Sequence, residues 1–230
     1  MIFGGIQKST LIDYPGKIGC VFFFSGCNFH CPYCHNPDLA RGQVVESWPE
    51  QAVFDFLEQR KGFLEGVVIS GGEPTLHPDL ARICRAIRQM GYPIKLDTNG
   101  SRPKILEGLI AENLIDYLAM DIKTSLENYA RYIQKDGNTE AIIASIRLVK
   151  ASGVSHEFRT TCIRPLIDLS IMDRIGALIE GADRYVLQRF RLSHVLDPDF
   201  FEKNEYSISE TDLEQLCTVA EKWVTSCMIR

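Results

Sequence analysis

Short apolar runs alternate with amphipathic stretches along most of the chain. The runs are Ile18–Phe24, Gly66–Ser70, Ile94–Asp97, Tyr117–Asp121, Glu157–Thr161 and Arg184–Phe190, each the length of a strand. Between them, apolar positions recur at helical spacing. In Pro78–Met90 these are Leu80, Ile83, Cys84 and Ile87, with Pro78 and Asp79 suited to the first turn. Glu50–Gln59, Pro103–Asn113, Thr139–Ala151 and Ser170–Glu180 read as helices in the same way. From Ser209 the tail carries Leu213, Leu216, Ala220, Trp223 and Val224 on one face. That face predicts a C-terminal helix over about 209–226, packed on the outside.

Strand–helix alternation makes parallel strands joined by right-handed crossovers. Six such units fall short of the eight of a closed TIM barrel. The expected architecture is an α/β fold, a partial (β/α)6 TIM-like barrel of parallel strands with a C-terminal helical extension. A doubly wound sheet is the alternative. With no repeat, low-complexity tract or long linker, 230 residues are expected to form a single domain with its core over about 17–190.

The polar punctuation falls in one place. After the first run comes a cysteine-rich loop, and after the second Ser70-Gly71-Gly72-Glu73. The third run ends in Asp97-Thr98-Asn99-Gly100, the fourth in Asp121-Ile122-Lys123, and the fifth holds Arg159-Thr160-Thr161. The carboxyl ends of parallel strands are where such folds bind ligands. Acidic, amide and cationic groups on five successive rims predict one shared site. Taken singly, Asp97 with Asn99, and Asp121 with Lys123, also read as structural polar pairs on the rim.

Composition narrows the partners. The net charge of -5 and the scattered Lys and Arg argue against nucleic acid. No apolar stretch approaches the roughly 20 residues of a membrane span, and no charged-then-apolar leader stands at the start, so a cytoplasmic protein is expected. The eight cysteines are then reduced thiols rather than disulfides. Cys20, Cys84, Cys162, Cys217 and Cys227 sit alone in apolar-periodic segments and read as small buried hydrophobes.

Cys27, Cys31 and Cys34 differ. Their spacing suits one helical stripe, but Gly26, Pro32 and Pro37 make a loop of the segment. Three thiolates on a loop can hold three irons of a [4Fe-4S] cubane and leave the fourth iron open to a ligand, whereas four-cysteine sites close the cluster. The alternatives are a non-enzymatic Cys3His zinc domain using His30 or His35, and a reactive-thiol cluster. Zinc sites usually add a distant second pair, which is missing here.

Cys27-x3-Cys31-x-Tyr33-Cys34 resembles the signature of radical S-adenosylmethionine (SAM) enzymes, and Ser70-Gly71-Gly72-Glu73-Pro74 resembles their Gly-Gly-Glu motif. The resemblance implies a cluster held by the three cysteines, with the methionyl amine and carboxylate of SAM on the open iron. One-electron cleavage then yields a 5′-deoxyadenosyl radical. Tyr33 would contact the adenine region, and Gly71, Gly72 and Glu73 the methionyl amine. Lys123 or Arg159 would neutralise the carboxylate. Asp97-Thr98-Asn99-Gly100, Met120-Asp121-Ile122-Lys123 and His35 resemble segments of glycyl-radical-enzyme activases. In these, Asp97, Thr98 and Asp121 would hold a monovalent cation, Na+ or K+, beside the cofactor; Asn99 belongs to the same contact set. The opening Gln7–Gly16 and Cys34-His35-Asn36-Pro37 resemble activating proteins of anaerobic ribonucleoside-triphosphate reductases, a likeness running to about Thr161.

That likeness implies an activase that installs a glycyl radical on a partner, anaerobic ribonucleotide reductase, with flavodoxin or ferredoxin as electron donor. A small-molecule enzyme of the 7-carboxy-7-deazaguanine synthase type is the rival. Phe190 stands where formate-lyase activases carry a histidine, so no cofactor contact is expected from the sixth strand. The lack of a second Cys-x2-Cys group implies a single cluster.

Overall fold

A computed structural model describes residues 2–43, 47–134 and 138–230. The chain opens with β1 (Ile2–Phe3) and β2 (Gly5–Thr10), followed by β3 (Gly19–Phe24), the short α1 (Pro37–Ala40) and β4 (Trp48–Pro49). Then strands and helices alternate: α2 (Glu50–Gln59), β5 (Gly66–Gly71), α3 (Leu80–Gln89), β6 (Ile94–Thr98), α4 (Pro103–Ala111) and β7 (Tyr117–Asp121). After the one-turn α5 (Tyr129–Tyr132) come α6 (Glu140–Ala151), β8 (Ser155–Cys162), α7 (Leu169–Leu178) and β9 (Tyr185–Arg189). The chain closes with α8 (Pro198–Lys203), α9 (Glu210–Ala220) and β10 (Cys227–Ile229).

The main sheet has the order β10-β9-β8-β7-β6-β5-β3-β2 and is parallel except for the β2/β3 pair. β3, β5, β6, β7, β8 and β9 are the six expected strands, so the α/β barrel-like reading holds. β2 adds an antiparallel edge beside β3, and β1 pairs with β4 in a small separate sheet.

The end of the chain departs from expectation. α9 starts at Ser209, whose side chain accepts from the Asp212 N–H in a capping box, but it stops at Ala220 rather than near residue 226. The chain then turns: the Gly181 N–H donates to the Trp223 carbonyl at 2.8 Å and the Thr225 N–H to the Ala182 carbonyl at 2.9 Å. β10 pairs in parallel with β9, which would otherwise leave a row of unpaired backbone groups. Trp223 still faces inward, but from the turn, its indole N–H donating to Asp173 at 3.0 Å.

The two faces of the sheet differ in character. The outer face buries Cys20, Phe22, Ile69, Leu96, Leu118, Met120 and Leu187 in the large cluster under the helices. The inner face has a small apolar floor of Tyr14, Val21, Val68 and Tyr117. Above it the inward positions turn polar: Ser70 on β5, Lys95 and Asp97 on β6, Asp121 on β7, Arg159 and Thr161 on β8, Gln188 on β9. Alternation along each strand sets this pattern, because residues two apart face the same side.

Candidate active site

At the carboxyl ends of the parallel strands lies a cavity of about 440 Å³. Cys27, Cys31, Tyr33, Cys34 and His35 line it from the loop after β3, and Gly71, Gly72 and Glu73 from the end of β5. Asp97, Thr98 and Asn99 come from β6, Asp121 and Lys123 from β7, and Arg159 from β8. Every residue expected at the site therefore reaches this one cavity. Five polar lining residues lie outside the expected contact set, Asp13, Asn36, Ser70, Thr161 and Gln188, together with Phe23, Phe29 and Ala40.

The cysteine loop is clamped from both sides. The Gly26 and Cys27 N–H groups donate to the carbonyls of Leu39 and Ala40 in α1, at 2.6 and 3.1 Å. Opposite, the His30 N–H reaches the Ile133 carbonyl at 2.8 Å, while the carbonyls of Pro32 and Cys34 accept from Asp197 and Leu196, both at 3.1 Å. Pro32 and Pro37 keep the segment from coiling into a helix. Burial pushes the Cys27 thiol up to about 11 and the Cys31 thiol up to about 12, against partial opposition from Lys123. Both thiols are thus protonated at neutral pH until a metal displaces the proton. Among the described residues no three His, Cys, Asp or Glu side chains close on a single ion position. Thiols that each serve a different iron of a cubane need not share one ion's ligand sphere.

The Gly-Gly-Glu loop is locked against the cysteine loop. Gly71 sits at φ +121°, and a Cβ there would run into the Phe24 backbone, just as one on Gly72 would overlap the Gly26 carbonyl. The Gly72 N–H donates to the Phe24 carbonyl and the Glu73 N–H to the Gly26 carbonyl, both at 2.8 Å. Glu73 is fully buried. Its Oε1 accepts from the Thr75 N–H at 3.1 Å, the Thr75 hydroxyl at 2.5 Å and the Thr98 hydroxyl at 2.9 Å, and its Oε2 from the Asn99 N–H at 2.6 Å. This carboxylate ties the β5 and β6 loops together, since its oxygens already have donors from the chain. Burial raises its pKa, against the pull of those donors.

A charged network crosses the cavity wall. Asp121 accepts from Arg159 Nε at 2.7 Å and from Lys123 Nζ at 2.9 Å. Asp97 accepts from the Ser70 hydroxyl at 3.0 Å, lies 3.3 Å from Arg159 Nη1 and pairs with the buried Lys95. Burial alone would raise both carboxyl pKa values. Arg159 first, with Lys123 at Asp121 and Lys95 at Asp97, more than offsets this and holds them below the usual range.

His35 does not face a metal position: its Nε2 bonds to the Arg191 carbonyl at 2.8 Å and its ring stacks on Phe190, with centroids 5.2 Å apart and planes 4° apart. Phe190 also meets the Tyr33 ring edge-on at 6.5 Å. The position lacking the expected histidine is thus an aromatic prop for the cysteine loop, and β9 contributes Gln188 to the cavity instead. Of the isolated cysteines, Cys20, Cys84 and Cys162 are buried, while Cys217 and Cys227 are half-buried.

The sequence model of the radical SAM superfamily matches residues 21–191, well past Thr161. A relative from Methanocaldococcus jannaschii named "Putative glycyl-radical enzyme activating enzyme" is 35% identical, the match covering 100% of this chain and 95% of its own. A 7-carboxy-7-deazaguanine synthase from Methanothermobacter thermautotrophicus is 27% identical over 86% of this chain and 80% of its own length. Among solved structures, a radical SAM methyltransferase from Sphaerobacter thermophilus superposes with a TM-score of 0.70, covering 96% of this chain and 68% of that one. At 16% identity, that likeness speaks for the fold alone. The chain belongs to the radical SAM superfamily and, within it, to the glycyl-radical-enzyme activating group.

Membership implies a [4Fe-4S] cluster and SAM as cofactors. The cavity fits them. Three thiols open into it, the two glycines of the β5 loop line it, and among the described residues the Tyr33 hydroxyl is buried without a hydrogen-bond partner. No described helix is long and apolar enough to cross a membrane.

Proposed function

We propose that the chain is an activase that cleaves SAM reductively and installs a glycyl radical on a partner enzyme, anaerobic ribonucleotide reductase. One observation carries the reading. Three cysteines on a clamped loop, two obligatory glycines and a carboxylate–guanidinium–ammonium network all face one cavity at the carboxyl ends of parallel strands. When bound, the cluster and SAM supply one-electron chemistry that ends in hydrogen abstraction.

The chain's own residues do the rest. Cys27, Cys31 and Cys34 would hold the cluster as thiolates. Gly71 and Gly72 let a ligand amine approach backbone carbonyls, and Glu73 keeps their loop in place. Lys123 and Arg159, aligned by Asp121, offer positive charge to the methionyl carboxylate. Tyr33 offers its unpartnered hydroxyl and ring face to the nucleoside end, with Phe190 and His35 stacked behind it. Asn99 steadies the cysteine loop from the side. The resemblance adds Na+ or K+ at Asp97, Thr98 and Asp121, but the oxygens of these residues already have partners within the chain. A flavodoxin or ferredoxin in the cytoplasm serves as the electron source.

The full-length likeness to the archaeal activating relative favours the partner-directed reading. The synthase likeness, lower but broad, sustains a small-molecule alternative. Mixing the reduced enzyme with a co-encoded glycyl-radical reductase discriminates them. A glycine-centred doublet in electron paramagnetic resonance is expected, and its absence with every such partner removes the activase reading. A colourless protein containing zinc but no iron or sulfide after anaerobic reconstitution would remove both.

A further inference from the structure

The oxygens expected to coordinate an alkali cation are engaged within the chain. Lys95 and Asp97 lie two apart on β6, so both face the barrel interior. The Lys95 side chain is 1% exposed, and its ammonium bonds to Asp97 Oδ1. Asp97 Oδ2 accepts from the Ser70 hydroxyl and faces Arg159. Both oxygens of Asp121 are held by Arg159 and Lys123. The Thr98 hydroxyl, on the other side of β6, donates to Glu73 and accepts from the Gly100 N–H at 3.1 Å. A hard cation needs several oxygens aimed at one point. Asp97 and Asp121 aim theirs at Lys95, Ser70, Lys123 and a shared Arg159, and the Thr98 hydroxyl is turned to Glu73, so these residues do not fit Na+ or K+.

Within the network, Asp97 and Asp121 face Lys95, Lys123 and Arg159, while Glu73 and Asp13 are further carboxylates on the cavity wall, Glu73 with neutral donors. Deeper in the barrel, Glu157 is fully buried but has its own counterion in Arg230 at 3.5 Å, and the Tyr117 hydroxyl donates to it at 3.1 Å.

We propose that the Lys95 ammonium takes the place of the alkali cation. It fixes Asp97 and, through it, Arg159, so the cavity accepts the methionyl carboxylate without Na+ or K+. This rests on the reading of the cavity as a SAM site. Lys95 is a positioning residue that acts through Asp97 from beneath.

The test uses anaerobically reconstituted holoenzyme in choline chloride, sodium chloride or potassium chloride at equal ionic strength. SAM affinity is measured by equilibrium dialysis, and its contact with the reduced cluster by electron paramagnetic resonance. The wild type should bind equally in all three salts. Lys95→Met should bind about tenfold more weakly in choline, a loss of about 1.4 kcal/mol, and recover in Na+ or K+. Lys95→Arg should stay independent of the salt. Loss of wild-type affinity on removing alkali ions overturns the inference but leaves the SAM reading intact, as does unchanged binding by Lys95→Met in choline. Absence of binding in every salt overturns the SAM reading and the inference together. If Lys95→Met fails to fold, the wild-type comparison across salts decides.

Discussion

The Asn99 side-chain amide donates to the Asn28 carboxamide oxygen at 3.0 Å and lies 3.9 Å from the Cys27 sulfur, so the β6 loop braces the cysteine loop. The Ser101 hydroxyl reaches the same Asn28 oxygen at 3.3 Å. Two loops from separate strands are therefore tied together beside Cys27, the first of the three proposed cluster ligands. Asn28→Ala removes the shared acceptor and leaves the nearly buried Asn99 amide with the Cys27 sulfur as its one remaining acceptor. The expected cost is about 1–2 kcal/mol of stability, with faster loss of iron to a chelator than from wild type. Iron retention after timed chelator exposure checks it, and wild-type retention would argue against the brace.

Gly72 has no room for a methyl group, because the obstructing atom is a backbone carbonyl that cannot swing aside. Gly72→Ala must push the Gly-Gly-Glu loop off the cysteine loop and weaken the bonds from Gly72 to Phe24 and from Glu73 to Gly26. The expected outcome is a variant with ordinary helix and strand content by circular dichroism but little reconstituted iron–sulfur absorbance. Gly16→Ala, where φ is +73° but no atom lies within 4 Å, carries backbone strain without the collision that Gly72→Ala meets. It should keep its cluster.

Much of this arrangement was legible because the signals were local. Pro32 and Pro37 mark a loop within a few residues, and the strand runs carry their polar ends with them. What stayed hidden depends on distant partners. Glu73 reads as a free acceptor until Thr98 and Asn99, 25 and 26 residues later, fill its oxygens. Lys95 looks like a stray charge in an apolar run; only its parity with Asp97 hints that it points inward. β10 is three residues long and leaves no periodic trace, existing because β9 has an open edge. Gln188 has the right parity on its strand, but an amide two residues before Phe190 carries no local sign that it lines the cavity.

The cysteines offer an internal control. Cys27→Ala, Cys31→Ala and Cys34→Ala each delete one thiol facing the cavity and should abolish both the cluster and 5′-deoxyadenosine formation. Cys84 is equally a thiol, but it is buried in α3 among apolar neighbours. Cys84→Ala should cost only about 1 kcal/mol of packing and a melting shift of about 2–4 °C, with product formation intact. Loss of the cluster in Cys84→Ala would mean that the reconstitution reports folding rather than ligation.

Asp121 links stability to pH in a direction that can be worked out. Its folded pKa is depressed below the unfolded value because Arg159 and Lys123 outweigh its burial. A group of this kind binds fewer protons in the folded state, so its contribution is complete above the unfolded value of about 3.8 and declines as pH falls below it. Asp121→Asn removes the charge while keeping the shape, and leaves Arg159 and Lys123 short of a counterion in a mostly buried wall. The expected loss is about 3 kcal/mol, the same at pH 7 and pH 5. It should narrow below about pH 4, as the unfolded wild-type chain takes up a proton that the folded protein still excludes. Urea midpoints for the two proteins across that range measure the gap. A gap that widens toward acid would mean that Asp121 is protonated in the folded protein and that the ion-pair account of this wall is wrong.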